Sequence, residues 1–138
     1  IRGLQDGTID CIASDHAPHT RDDKDKEFEF APFGVIGLES TFSVIYDRLV
    51  RTKLLTLNRL VELLSTNPAR ILGLKDRGHV KPGYPADLTI LNPKKRFKIE
   101  EKDFSSKANN CPFLGWEGQG VIAYTIVSGN VVYSRTGK

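Results

Sequence analysis

The chain has 138 residues, of which 39% are hydrophobic and 27% charged, the composition of one ordinary globular domain with its own core. Its formal charge is only +3, and acids are interspersed with bases, as in "RDDKDKE" (Arg21 to Glu27), which excludes a nucleic-acid-binding stripe. No run approaches the length of a membrane span, no secretory signal opens the chain, and the two cysteines make no disulfide framework, so a reducing, cytoplasmic setting is expected.

In chain order, "IRGLQDG" reads as the end of one element and the turn before a strand. With no methionine anywhere in the chain, it is expected to be a fragment, cut by proteolysis or by cloning. "TIDCIAS" (Thr8 to Ser14) reads as a short strand, with Cys11 as a small buried thiol. The charged stretch from Thr20 to Glu29 is too polar to pack and reads as a solvated loop, placed where an active-site lid could lie. "APFGVIGLE" leads into a helix whose apolar stripe is Leu38, Phe42, Ile45 and Leu49, which leaves Asp47, Arg48 and Arg51 toward water. A second helix starts at Thr56 as N-cap, with Leu57, Leu60, Val61 and Leu64 on one face. A third, short helix is signalled by "NPARILG": Asn67 caps it, Pro68 takes the first turn and Gly73 ends it.

From Gly78 the texture changes to strands and turns, and a domain boundary is placed there, giving residues 1–77 and 78–138. "ADLTIL" is a strand, "NPKK" a turn and "RFKIE" another strand; the basic cluster is a solvated turn. "VIAYTIV" and "VVYS" flank "SGN", a tight hairpin in which Gly129 and Asn130 tolerate positive φ. Trp116 reads as a core or interface anchor.

The chemistry concentrates in "IASDHAPHT" (Ile12 to Thr20), where an apolar run stops at an aspartate and two histidines follow. An acid at the carboxyl end of a strand, before a long loop, is where barrel and open α/β enzymes place their chemistry. Carboxylate and imidazole are favoured zinc ligands, and beside metal-activated water a carboxylate can take up a proton and return it. An Asx-type turn, with Asp15 capping backbone N–H groups and Pro18 fixing the bend, accounts for the same letters. The chain has three histidines and no dense ligand cluster, so any metal site must take further ligands from outside it.

"SDHAPHTRDDKDKEFEFAPFGVIGLES" resembles the signature segment of bacterial-type dihydroorotases of the amidohydrolase superfamily. "STNPARILGL", "GHVKPGYPADLTIL", "CPFLGWEGQG" and "TIVSGNVVY" are similar to that family's C-terminal third. The resemblance implies an α/β fold: the C-terminal part of a metal-dependent (β/α)8 TIM barrel, with Thr8 to Ser14 as its last strand, plus a small β-sandwich module. A full barrel takes typically about 250 residues, so this chain is an incomplete one.

The implied reaction is reversible hydrolysis of (S)-dihydroorotate to N-carbamoyl-L-aspartate in pyrimidine biosynthesis, with one or two zinc ions per complete subunit. By the same resemblance Asp15 matches the metal-ligating aspartate, which also acts as general base and acid and passes a proton to the departing ring nitrogen. His19 matches the histidine on the carboxylate side of the substrate. Phe33 and Gly34 match the pair whose backbone meets the pyrimidine ring, with packing of the Phe33 ring into the wall compatible with that role. His16 is expected to be scaffold, its ring satisfied by a carboxylate or carbonyl, and His79 has no evident catalytic role.

The remaining metal ligands and the substrate-binding arginine and asparagine are expected in the remainder of the protein, and the isolated chain is expected to be inactive. A homodimer and a complex with aspartate transcarbamoylase are compatible with the family. Two alternatives stand beside this reading: a hydantoinase or allantoinase, and a non-catalytic subunit that scaffolds aspartate transcarbamoylase.

Overall fold

Helices precede Gly78 and strands follow it in the computed structural model, which describes residues 1–135. The last three residues of the expected second domain lie outside the described residues. The first half carries α1 (Arg2–Asp6), α2 (Arg21–Lys24), α3 (Thr41–Ile45), α4 (Leu57–Val61) and α5 (Asn67–Ile71), with π-helical turns at Tyr46–Val50 and Glu62–Thr66. The second half carries β1 (Leu88–Lys98), a 3-10 turn (Glu101–Asp103), β2 (Glu117–Val127) and β3 (Asn130–Ser134).

The strand expected at Thr8 to Ser14 does not form. A strand needs a neighbour to receive its ladder, and the described residues offer this segment none. Its backbone groups go to helices instead: Ile12 N–H donates to the Leu63 carbonyl at 3.0 Å, and the Asp10 carbonyl accepts from Asn67 Nδ2 at 2.7 Å. Cys11, expected to be buried, is half-buried.

Thr56 is the N-cap that the sequence signals, its hydroxyl accepting the Arg59 N–H at 3.1 Å. The helix it opens then runs without a break into α5, so the expected third helix is a continuation. Asn67 has helical φ and ψ and caps nothing; its side chain is spent on Asp10. Pro68 cannot donate a helical hydrogen bond, and it follows the π-helical turn in which Asn67 N–H reaches back to Glu62. Gly73 ends the run at φ 70°, with Leu74 N–H on the Ala69 carbonyl and Gly73 N–H on Arg70, a Schellman closure. Leu60 and Leu63 are fully buried, whereas Leu57 and Val61, expected on the same face, are exposed.

The helix after the loop starts three residues later than its apolar stripe suggests, and it turns a different face inward. Leu38 is exposed, and Ser40, Ser43, Val44 and Asp47 are buried. That helical row is small and polar because it lies against β2, whose glycines let it come close. A Cβ on Gly118 would fall 2.6 Å from Asp47 Cγ, and one on Gly120 would fall 2.0 Å from Tyr46 Cδ1.

The strands form one antiparallel sheet in the order β1-β2-β3. The two strands expected around "NPKK" are a single strand, β1, interrupted by a bulge. Asn92 pairs with Val121 and Arg96 with Gln119, and Asn92 Oδ1 accepts the N–H groups of Lys94 and Lys95 across the extra residues. The hairpin forms as expected, but positive φ falls on Ser128 and Gly129, while Asn130 starts β3. Ser128 is held there by its N–H on Asp87 Oδ1 at 2.7 Å, and Asp87 also pairs with Arg77.

The core gathers Ile36 and Val44 from the helical half with Phe97, Ile99, Cys111 and Val121 from the other, and Phe104 and Phe113 pack on it. Full burial of a side chain such as Ile36 or Val121 contributes about 1.5–3 kcal/mol. Between β1 and β2 the chain makes an excursion closed at its base by Ile99 N–H on Trp116 and Gly115 N–H on Ile99. That excursion carries Asn110 to the loop that begins at Asp15.

Candidate active site

The structure brings the four residues singled out for the site, Asp15, His19, Phe33 and Gly34, into one loop closure. Asp15 is exposed, and its Oδ2 accepts the Val35 N–H at 3.0 Å. Asp15 therefore does cap a backbone donor, but one twenty residues away rather than in a local Asx turn. The returning segment lies beside the outgoing one: Ala17 N–H donates to the Val35 carbonyl at 2.8 Å, and His16 forms an isolated antiparallel bridge with Ile36.

His19 Nε2 lies 2.9 Å from the Phe33 carbonyl oxygen. A carbonyl only accepts, so Nε2 carries the hydrogen in this contact. His19 N–H donates in turn to Asn110 Oδ1 at 3.2 Å. The His16 ring has no hydrogen-bond partner among the described residues; it is scaffold through its backbone and not, as expected, through its ring. The Phe33 ring is 94% exposed, so it does not pack into a wall formed by the described residues. Gly34 stands at φ 103°, and a Cβ there would fall 2.4 Å from Ala17 Cβ and 3.0 Å from Asp15 Oδ2. Glycine is thus required by the closure itself, before any ligand is considered.

Two residues that the sequence reading did not single out hold this closure. Lys24 Nζ donates to the carbonyls of Pro32 at 2.8 Å and Gly34 at 2.9 Å. Asn110 Nδ2 donates to the Ala17 carbonyl at 2.9 Å and lies 3.4 Å from that of Gly34. Nothing in a charged run distinguishes the lysine that turns inward, and an asparagine paired across ninety residues leaves no local signal. The stretch expected to be loop contains α2, capped by the Thr20 hydroxyl on Asp23 N–H at 3.2 Å. The Thr20 hydroxyl and Lys26 beside Asp23 hold its carboxyl below the usual range. Residues 18–21 face residues 106–109 across a depression of about 510 Å³ that opens beside His19.

A second acidic site lies behind the loop. Asp47, expected toward water, is 7% exposed. Its Oδ1 accepts from Gln119 N–H at 2.8 Å and Arg51 Nη1 at 2.6 Å, and Arg48 Nε lies 3.8 Å from Oδ2. Burial pushes this carboxyl up, but the Gln119 hydrogen bond and the two guanidinium groups outweigh it and hold the group below the usual carboxylate range. Arg48 in turn lies 4.8 Å over the Trp116 ring, which meets Phe113 edge to face. Trp116 is thus an anchor of this junction.

Among the described residues no three His, Cys, Asp or Glu side chains cluster closely enough to hold a metal ion. Asp15 fits a cation as a single ligand, since one carboxylate oxygen is fixed by Val35 N–H and the other has no partner among the described residues. No helix of the described residues is long and apolar enough to cross a membrane.

The amidohydrolase family profile matches residues 36–133. The dihydroorotase of Caldanaerobacter subterraneus subsp. tengcongensis is 46% identical over 138 residues, all of this chain and 32% of that protein. The dihydroorotase of Geobacter metallireducens is 51% identical over 132 residues, 96% of this chain and 31% of its own length. Among solved structures, L-hydantoinase (dihydropyrimidinase) from Arthrobacter aurescens superposes with a TM-score of 0.91 at 33% identity, over 96% of this chain and 30% of that one. D-hydantoinase (dihydropyrimidinase) from Thermus sp. does so with a TM-score of 0.84 at 26% identity, over 99% of this chain and 31% of that one. The chain spans about a third of the length of the curated relatives it matches. The family resemblance read from "SDHAPH" and "APFGVIGLE" holds.

Proposed function

The chain belongs to the amidohydrolase family, and from that premise we propose that it is the C-terminal part of a dihydroorotase, hydrolysing (S)-dihydroorotate reversibly to N-carbamoyl-L-aspartate in pyrimidine biosynthesis. In the complete enzyme residues 1–77 would contribute to a (β/α)8 barrel and residues 78–138 to a β-sandwich. What carries the reading is the convergence of Asp15, His19, Phe33 and Gly34 in one closure. Dihydroorotases at 46% and 51% identity support it, and the two free thiols, Cys11 and Cys111, support a cytoplasmic setting.

Asp15 would take a proton as the ring opens and deliver it to the departing amide nitrogen. Its Oδ2 is tethered by the Val35 N–H, which would leave Oδ1 to handle the proton. When bound, zinc would supply Lewis-acid polarisation of the ring carbonyl and activate water, with Asp15 as the one ligand from this chain. His19, held by its Nε2 on the Phe33 carbonyl, would lie on the carboxylate side of the substrate. The backbone of Phe33 and Gly34 would meet the flat ring where no side chain intervenes.

The test is ring opening of dihydroorotate, hydantoin and allantoin by the complete polypeptide that carries this chain, with its metal content measured. Preference for dihydroorotate and bound zinc are expected. Preference for either other substrate would overturn the assignment, and a stable metal-free protein without turnover would favour a scaffolding subunit.

A further inference from the structure

We infer that Lys24 and Asn110 are positioning residues that together set the height of the Phe33–Gly34 backbone over the site. The inference deepens the proposed function and rests on it for the identity of the substrate.

Lys24 Nζ takes the carbonyls of Pro32 and Gly34, at 2.8 and 2.9 Å, and the Phe33 carbonyl between them lies 2.9 Å from His19 Nε2. One ammonium and one imidazole thus hold three consecutive carbonyls. Asn110 supplies the second point of the clamp. Its amide donates to the Ala17 carbonyl on the outgoing segment and lies beside that of Gly34 on the return, while its oxygen accepts the His19 N–H. Asn110 itself is anchored on the core, since its carbonyl accepts the N–H of Ile36, a fully buried residue.

These contacts cannot be replaced by packing. Phe33 is exposed, and Gly34 has no side chain to hold it. Because Lys24 is only partly exposed and spends its ammonium on two carbonyls, its charge is used for geometry rather than solubility. A loop held by a few polar contacts can shift by an ångström without the fold collapsing, and a shift of that size degrades the fit to a bound ring.

The experiment compares Lys24→Met, Lys24→Arg and Asn110→Ala in the complete polypeptide, with three readouts: KM and kcat for dihydroorotate, backbone amide exchange over residues 15–35, and Tm. Lys24→Met keeps the stem but removes all donors, and Asn110→Ala removes donor and acceptor. Each should raise KM by about tenfold, change kcat by less than about threefold and speed amide exchange in this segment. Lys24→Arg keeps a forked donor and should restore KM to within about threefold.

A fall in kcat at unchanged KM, unchanged exchange, or an arginine variant as impaired as the methionine one would overturn the inference. Should Lys24→Met fail to fold, Asn110→Ala decides by the same readouts. If the polypeptide does not open dihydroorotate at all, the functional reading fails, while faster exchange in the variants still upholds the clamp and unchanged exchange removes it.

Discussion

The loop around Asp15 and the helix–sheet junction around Asp47 are held by different forces. In the loop, side chains meet backbone: Asp15 on Val35, His19 on Phe33, Lys24 on Pro32 and Gly34, Asn110 on Ala17. At the junction, Val44 and Val121 bury apolar surface, and the glycines of β2 let the helix touch the sheet. Asp15 keeps an oxygen free in an exposed setting. Asp47 is enclosed, with a backbone N–H and two guanidinium groups around it. The same residue type is left available for chemistry in one place and consumed by structure in the other. Substitutions in the loop should therefore move activity without stability, and substitutions at the junction should do the reverse.

The largest effect is expected at Asp15. Asp15→Asn in the complete polypeptide should lower kcat by about 10²–10⁴-fold, because an amide cannot accept and return the proton. The amide oxygen can still accept the Val35 N–H, so Tm should stay within a degree or two of the parent. A large drop in Tm would put Asp15 with the structural residues and break the comparison. His19→Ala, also in the loop, should act mainly on KM.

Next in size is the close approach at β2. Gly120 has φ 101°, and a Cβ there would fall 2.0 Å from the Tyr46 ring. Gly120→Ala combines backbone strain with overpacking and should cost about 2–4 kcal/mol. Denaturant unfolding of the complete polypeptide reads that cost, and kcat per folded molecule should be unchanged.

The contrast also explains what could be read from the letters. Features written in neighbouring residues were legible: the Thr56 cap, the Gly73 stop and the hairpin after Val127. Features that depend on distant partners were not. Asp47 looks solvent-facing because its helix has an apolar stripe elsewhere, and only Gln119, seventy-two residues on, shows why it is inside. Lys24 is one of seven charged residues in a row, Arg21 to Glu27, and its role depends on where Pro32 and Gly34 return. Thr8 to Ser14 has the composition of a strand, but composition does not supply a neighbour to pair with. The family resemblance pointed to Asp15, His19, Phe33 and Gly34 because all four lie in one quoted segment, and it did not point to Lys24 or Asn110, which the structure places against them.

Asp47→Ala should cost about 1.5–3 kcal/mol, the range for a hydrogen bond to a charged group, with the loss limited by the exposed position of Arg51. Its pH signature follows from the lowered folded-state value. A depressed carboxyl stabilises the fold above its unfolded-state value, about 3.9, and that contribution is lost as pH falls through the folded-state value. The parent should therefore lose more stability than the Asp47→Ala variant as pH falls below about 4. Parallel acid-unfolding curves would show that Asp47 does not carry this linkage.

The smallest effects give the sharpest test, because the two regions contain the same device. Thr20 and Thr56 are both N-caps whose hydroxyls accept the N–H three residues on, at 3.2 and 3.1 Å. Removing such a cap costs the helix about 1 kcal/mol. The helix that Thr56 opens leads to Leu60 and Leu63, both fully buried, so Thr56→Ala should lower global stability by about that amount. The helix that Thr20 opens buries nothing, so it can fray without the rest of the fold. Thr20→Ala should leave the global unfolding midpoint unchanged, speed amide exchange around Lys24, and raise KM as the grip on Pro32 and Gly34 weakens. Equal losses of global stability from the two substitutions would mean that loop and junction unfold as one unit, and the division of labour between Asp15 and Asp47 would lose its physical basis.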